Sequence, residues 1–215
     1  MHKYQIFIEY VGTNFVGWQI QSQGKSIQKL IQTKISKLLK EKISLIGSGR
    51  TDSGVHAIEQ SAHFEYKKEI QNPGKFLRSV NHFVNDMNIS ITKIKKRNIN
   101  FHARFSAKQR VYKYIIFNRL SRPSIEKGRG WHIIKELDVT LMKEGAKKLL
   151  GTKDFSTFRS SSCNAKSPIR TMKSIKIKSI KGRIEIQFKS QSFLQQQVRS
   201  MVGCLKYLAE KKWDL

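Results

Sequence analysis

The spacing of apolar residues, and the way it changes along the sequence, limits the fold of this chain more than any other feature. A spacing of two predicts a half-buried strand, and a spacing of three to four predicts a helix with one apolar face. In the first half, the predicted strands are residues 3–10, 43–46, 57–66 and 89–94. One predicted helix follows the N-cap Ser26, and a second helix spans residues 75–83. This β-α-β-β-α-β order is that of the ferredoxin-like fold, which RNA-recognition domains also use.

The second half follows the same order more loosely. Its predicted strands are residues 111–117, 174–178 and 183–189. One predicted helix begins after the N-cap Asp138 and ends at Gly151, and a second helix spans residues 193–209. Asp is a good N-cap, and Gly commonly ends a helix. We therefore expect an α+β fold of two ferredoxin-like halves, residues 1–100 and 101–215. Their antiparallel sheets would flank a central cleft, which is a favourable position for a ligand site.

The charge of the chain favours a polyanionic partner. Forty-two Lys and Arg residues stand against 15 Asp and Glu residues, which gives a formal net charge of +27. Such a field attracts nucleic acid, and the binding should weaken as salt rises. A Lys-rich compositional bias without functional meaning is the alternative interpretation. No apolar run approaches the roughly 18 residues of a membrane span, and the charged start of the chain lacks a signal-peptide core.

The cysteines argue against several other classes of protein. Cys163 and Cys204 have neither the spacing of a metal site nor that of a disulfide framework, so a reducing cytoplasm is the simplest setting. A zinc-dependent base deaminase would need an H-x-E motif together with P-C-x-x-C, and neither is present.

The strongest candidate for a site is the run GSGRTDSGVHA at residues 47–57. Its glycines permit backbone conformations and close approaches that a side chain would block. The loop can therefore present Asp52 to a ligand, while Arg50 reaches outward from the same turn. A tight turn with a surface ion pair is the alternative.

This run resembles the G-x-G-R-T-D-x-G-V-H motif of the tRNA pseudouridine synthase A family. Further matching blocks, in family order, are EYVGT at 9–13, FVGWQ at 15–19, FHARFSA at 101–107, RVYKY at 110–114, DFSTF at 154–158, and FL with VRSMVG at 193–203. The resemblance implies a homodimer without a cofactor that isomerises uridine to pseudouridine in the anticodon stem-loop of tRNA. Because members of the family continue beyond the last helix, it also implies that the second half lacks the usual final strand.

The resemblance assigns the catalytic roles to Asp52 and Arg199. Asp52 matches the nucleophile, which could attack the anomeric carbon or the uracil ring, or could deprotonate the sugar to form a glycal. All three routes need an ionised aspartate in a buried site, and the sequence leaves them open. Arg199 is the candidate cation that keeps Asp52 ionised, with an exposed helix arginine as the alternative.

The expected substrate-binding residues are Tyr112, Arg50, His102 and Arg104. Tyr112 matches the tyrosine that stacks on the extruded base, and Arg50 would support the flipped state. For His56 and His102, a structural hydrogen bond is favoured over a contact with the RNA backbone. Arg104 also belongs to the expected electrostatic footprint, together with Arg110 and the cluster Lys93, Lys95, Lys96 and Arg97. A solvated face is the alternative, above all for that cluster. A non-catalytic tRNA-binding or tRNA-folding protein of the same fold is the alternative function.

Overall fold

The computed structural model describes residues 1–215, which divide into two compact units, Met1–Ala107 and Lys108–Leu215. Residues 101–107, which were expected in the second half, belong to the first unit. No helix is long and apolar enough to cross a membrane.

The first unit has the predicted ferredoxin-like order. Its elements are β1 (His2–Tyr10), α1 (Ile27–Leu39), β2 (Ile46–Gly47), β3 (Ala57–Tyr66), α2 (Pro73–Val84) and β4 (Ile89–Arg97), with a 3₁₀ turn at Asn85–Met87. The sheet order is β2-β3-β1-β4, and every strand pair is antiparallel. Each helix starts at a side-chain cap, since Ser26 accepts from the Lys29 N–H and Asn72 accepts from the Lys75 N–H.

The predicted strand at residues 43–46 is wrong in extent, because only Ile46–Gly47 pairs with β3. Side chains of α1 replace the missing strand partner. Ser36 Oγ accepts from the Ile43 N–H at 3.0 Å, and Gln32 Oε1 accepts from the Leu45 N–H at 3.0 Å. Ile43 and Leu45 are buried, which explains the apolar alternation that predicted a strand there.

The second unit is also α+β. Its elements are β5 (Arg110–Asn118), β6 (Trp131–Ile133), α3 (Val139–Lys148), β7 (Gly151–Asp154), β8 (Ile169–Ile180), β9 (Arg183–Ser190) and α4 (Gln197–Ala209), with a 3₁₀ turn at Ser156–Phe158. The sheet order is β6-β5-β9-β8-β7. The short β6 runs parallel to β5, and the other pairs are antiparallel. The predicted N-cap Asp138 accepts from the N–H groups of Thr140 and Leu141.

The last helix begins at Gln197, four residues later than the pattern predicts. Gln196 has φ 61°, in the left-handed region, and therefore cannot continue a helix backwards. Gln197 Oε1 accepts from the Leu194 N–H at 2.8 Å, so a side chain fixes the turn before the helix. Leu194 still packs in the core, which is why it extended the apolar stripe of the helix.

Candidate active site

Asp52 lies in the loop of residues 48–56, which connects β2 to β3 and is called the aspartate loop below. The Val55 N–H donates to the Asp52 carbonyl oxygen at 3.2 Å and closes a turn around Ser53 and Gly54. Gly54 has φ 76°, which suits glycine at the third position of such a turn. Asp52 is half-buried, whereas a buried site was expected, and Arg50 is exposed.

A second loop, residues 11–20 between β1 and α1, holds the aspartate loop through backbone hydrogen bonds. We call it the N-terminal loop. The Trp18 N–H donates to the Thr51 carbonyl at 3.0 Å, next to Asp52. The Phe15 carbonyl accepts from Ser53 Oγ at 3.1 Å and from the Gly54 N–H at 3.4 Å. Both sequence neighbours of Asp52, Thr51 and Ser53, are therefore hydrogen bonded to the N-terminal loop.

Two glycines of the N-terminal loop allow this close approach. A Cβ on Gly12 would lie 2.0 Å from the Val55 carbonyl oxygen, and a Cβ on Gly17 would lie 2.6 Å from that of Thr51. Gly17 also has φ 117°. The Gly12 N–H donates to His56 Nδ1 at 3.0 Å, so His56 makes a structural hydrogen bond, as favoured from the sequence.

Aromatic residues support the two loops from the core side. The Tyr10 hydroxyl hydrogen bonds with Thr51 Oγ1 at 2.8 Å. Its ring stacks on Trp18, with centroids 6.2 Å apart, and both side chains are buried. Sequence reasoning treated Trp18 only as part of a matching block and missed this supporting role. The available signal was the combination of two glycines with two large aromatics, Phe15 and Trp18, in one short loop.

The other end of the aspartate loop is held by β3. The buried Gln60 accepts from Ser48 Oγ at 3.2 Å and donates through Nε2 to the Gly49 carbonyl at 2.5 Å. The loop is thus fixed by hydrogen bonds before and after Asp52. A carboxylate on a rigid loop, partly open to solvent, can serve as a nucleophile or as a base.

The second unit brings Tyr112 and Arg199 to one face of its sheet. Tyr112 on β5 lies opposite Phe188 of β9 and packs edge-on against Phe193, with centroids 5.0 Å apart. Tyr114 projects from the same face two residues later. Burial raises the pKa of Tyr114, and the nearby Arg199 charge opposes that rise. Arg199 itself is exposed on the first turn of α4.

Asp52 belongs to the first unit, and Tyr112 and Arg199 belong to the second. The convergence of these three residues in a cleft stays a prediction.

His102 and Arg104 lie in the turn of residues 102–106. His102 is half-buried, and its Nδ1 accepts from the N–H groups of Arg104 and Phe105 at 3.2 and 3.4 Å. Arg104 is exposed, with its guanidinium carbon 5.7 Å from the centre of the Phe105 ring.

Some of the basic residues on β4 are already partnered. Lys96 pairs with Glu69 at 2.5 Å, which lowers the pKa of Glu69, and Lys95 lies over the Phe7 ring. Cys163 and Cys204 are free thiols, and no group of three His, Cys, Asp or Glu residues could hold a metal ion.

Comparison with known proteins places the chain in a family. A family model described as tRNA pseudouridine synthase matches residues 6–106 and 146–215. The chain is 78% identical over 215 residues to tRNA pseudouridine synthase A of Pelagibacter ubique (strain HTCC1062), covering 100% of this chain and 87% of that protein. It is 38% identical over 213 residues to tRNA pseudouridine synthase A of Parvibaculum lavamentivorans, covering 99% of this chain and 86% of that protein. The chain therefore belongs to the tRNA pseudouridine synthase family and is an isomerase that acts on uridine in tRNA.

Proposed function

We propose that this enzyme isomerises uridine to pseudouridine in the anticodon stem-loop of tRNA, with Asp52 as its catalytic nucleophile. The observation that carries the proposal is the position of Asp52 in a loop whose backbone is held on both sides by the N-terminal loop and by β3. A carboxylate fixed in this way meets its substrate without a further loss of backbone freedom.

The reaction needs no co-reactant. The bond between N1 of uracil and C1′ of ribose breaks, the ring turns, and a bond forms between C5 and C1′. The hydrogen that C5 carried is lost as a proton, and N1 ends with a proton in its place. The Asp52 carboxylate can start the sequence at C1′, at the uracil ring, or by taking a proton from the sugar, and each route needs its ionised form.

Arg199 and Tyr112 complete the proposed site from the second unit. In this proposal Arg199 lies beside Asp52 and keeps it ionised, while the Tyr112 ring stacks on the extruded base. Arg199→Lys keeps a positive charge there and Arg199→Gln removes it. We therefore expect the lysine variant to retain more activity than the glutamine variant, in assays at equal tRNA saturation. Equal activities would remove Arg199 from this role.

Binding of tRNA would rest mainly on basic groups. Arg50 supports the flipped base from the aspartate loop, and His102 and Arg104 contribute to RNA binding from their turn. With a formal net charge of +27, affinity should fall as salt rises. We also propose a homodimer that works in the cytoplasm without a cofactor.

The test is Asp52→Asn, which keeps the size of the side chain and removes its charge. We expect no pseudouridine formation, measured as tritium release from tRNA labelled at C5 of uracil. Binding of tRNA should stay within about tenfold, because affinity comes mainly from phosphate contacts. Asp86→Asn is the matched control, since Asp86 is exposed on the 3₁₀ turn before β4 and its loss changes the net charge equally.

Two outcomes would contradict the proposal. Undiminished tritium release by the Asp52→Asn enzyme would remove Asp52 from the catalytic role. Release from uridines outside the anticodon stem-loop alone, mapped on isolated tRNA, would overturn the proposed substrate position while leaving Asp52 in place.

A further inference from the structure

Phe105 is the most exposed aromatic side chain of the chain, with 77% of its surface accessible. A single exposed apolar residue is ordinary on a protein surface. What distinguishes Phe105 is that the structure fixes its backbone, backs its ring with another ring and places a cation beside it.

The backbone of Phe105 is fixed by the turn of residues 102–106, which we call the stacking turn. The Ser106 N–H donates to the His102 carbonyl at 2.8 Å, and Ser106 Oγ accepts from the His102 N–H at 3.0 Å. His102 Nδ1 accepts two further backbone N–H groups, including that of Phe105. The ring is therefore presented to solvent by a closed hydrogen-bonded turn, which lowers the entropy cost of binding through it.

The stacking turn is attached to the sheet of the first unit. The buried Ala103 donates its N–H to Nδ1 of the buried His63 at 3.1 Å. Just before the turn, Phe101 packs edge-on against His63 and lies under the Arg97 guanidinium, 5.2 Å from its ring centre. The turn thus has a rigid support underneath it.

Three aromatic rings, those of His63, His102 and Phe105, pack one against the next from the sheet to the surface. His63 lies 4.8 Å from His102, and His102 lies 4.4 Å from Phe105 with 31° between the ring planes. His102 packs against the Phe105 ring, most of whose surface is open to solvent. An unpaired RNA base is a flat ring that stacks on such a surface, and Arg104 beside Phe105 can meet the phosphate that follows the base.

We propose that the stacking turn binds an unpaired base of the tRNA on Phe105, in addition to the base that is isomerised. The turn carries no carboxylate, so this base is held and not changed. The proposal rests on the proposed function, since it takes the RNA substrate from it. It concerns a positioning contact that fixes how the RNA lies when the uridine is extruded.

The test compares two RNAs in filter-binding titrations: an anticodon stem-loop with its unpaired loop, and a fully paired duplex of equal length. Phe105→Ala should weaken binding of the stem-loop by about 5- to 150-fold, equal to about 1–3 kcal/mol for one stacked base. Binding of the duplex should change less than about twofold, because it offers no unpaired base to stack. Phe105→Trp should bind the stem-loop about as well as the unmutated enzyme.

Salt dependence and a control variant separate stacking from charge. Phe105→Ala should leave the slope of log affinity against log salt unchanged, whereas Arg104→Gln should reduce it by about one unit. Leu120→Ala removes an aliphatic side chain that is 82% exposed in the second unit, and it should change neither affinity nor slope.

Several results would overturn the inference. They are equal weakening of both RNAs, no weakening of the stem-loop, or a shift of Phe105→Ala from dimer to monomer in light scattering with RNA affinity unchanged. The last result would assign the ring to a protein interface. If the unmutated enzyme forms no pseudouridine but Phe105→Ala still shows the selective loss, the proposed function fails and the stacking contact stands.

Discussion

The hydroxyl of Tyr10, at the end of β1, hydrogen bonds at 2.8 Å with Oγ1 of Thr51, the residue before Asp52. Tyr10 is 2% exposed, so a core residue of the first sheet directly holds the loop that carries the candidate nucleophile. This contact connects the packing of the fold to the position of Asp52.

Tyr10→Phe should therefore lower kcat, and its small loss of unfolding free energy should not account for that decrease. Loss of one net hydrogen bond costs about 1 kcal/mol of unfolding free energy, and we expect kcat to fall about fivefold with KM unchanged. Tyr4→Phe is the matched control, because the Tyr4 hydroxyl on the same strand accepts from the Ile70 N–H at 2.8 Å. It should lose similar stability and keep its kcat. Equal kcat values for the two variants would contradict the role of Tyr10.

Gly17→Ala should displace the aspartate loop. The new Cβ would lie 2.6 Å from the Thr51 carbonyl oxygen, where a backbone atom cannot easily yield. We expect kcat to fall about 100-fold, since small displacements of a reacting group are costly. Gly128→Ala is the control, because Gly128 also has a positive φ, 76°, but a Cβ there meets nothing within 4 Å. A similar loss of activity in both variants would point to backbone strain alone.

His63 should make the first unit less stable in acid. Burial, with the nearby His102 and Lys3 charges, lowers its pKa from 6.5 to about 4, while Glu65 opposes the shift. The unfolded chain takes up a proton on His63 near pH 6.5, and the folded chain does not. Above pH 6.5 His63 is neutral in both states, so it does not lower the free energy of unfolding there. This free energy falls as the pH drops from 6.5 to about 4, by up to about 3 kcal/mol.

The measurement is the free energy of unfolding in urea between pH 7.5 and pH 4.5. In His63→Asn, a neutral acceptor replaces the imidazole, and the fall over this range should be smaller. His82→Asn changes an exposed histidine of α2 and should keep the full pH dependence. A fall of unchanged size in His63→Asn would assign the acid sensitivity to other groups.

Gln32→Leu tests how the segment before β2 is held. It removes the acceptor of the buried Leu45 N–H, and we expect a loss of about 1–3 kcal/mol of unfolding free energy. Gln21→Leu is the control, because its bond to the Val16 carbonyl is exposed and its loss should cost less than about 0.5 kcal/mol. Equal losses would mean that the Leu45 N–H finds another partner.

Local patterns in the sequence were sufficient to predict most helices and strands and to find the candidate loop. The caps Ser26 and Asp138 start their helices as predicted, and the alternation of residues 183–189 is a strand with every second side chain buried. These features depend on neighbours in the chain, so spacing and residue type carry them. The run that contains Asp52 was recognisable because it resembles a family motif, whereas its composition alone left a tight turn with a surface ion pair as the alternative.

Which segments meet depends on tertiary packing. Residues 43–45 have the spacing of a strand, but side chains of α1 provide their hydrogen-bond partners. β6 and β7 are too short for a period to be visible, and they exist because β5 and β8 offer open edges. The contacts that hold the aspartate loop, from Tyr10 and Gly17 to Thr51, and the contact of the buried His63 with Ala103 join residues more than thirty positions apart. Such contacts are set by how whole elements pack, which no local pattern records.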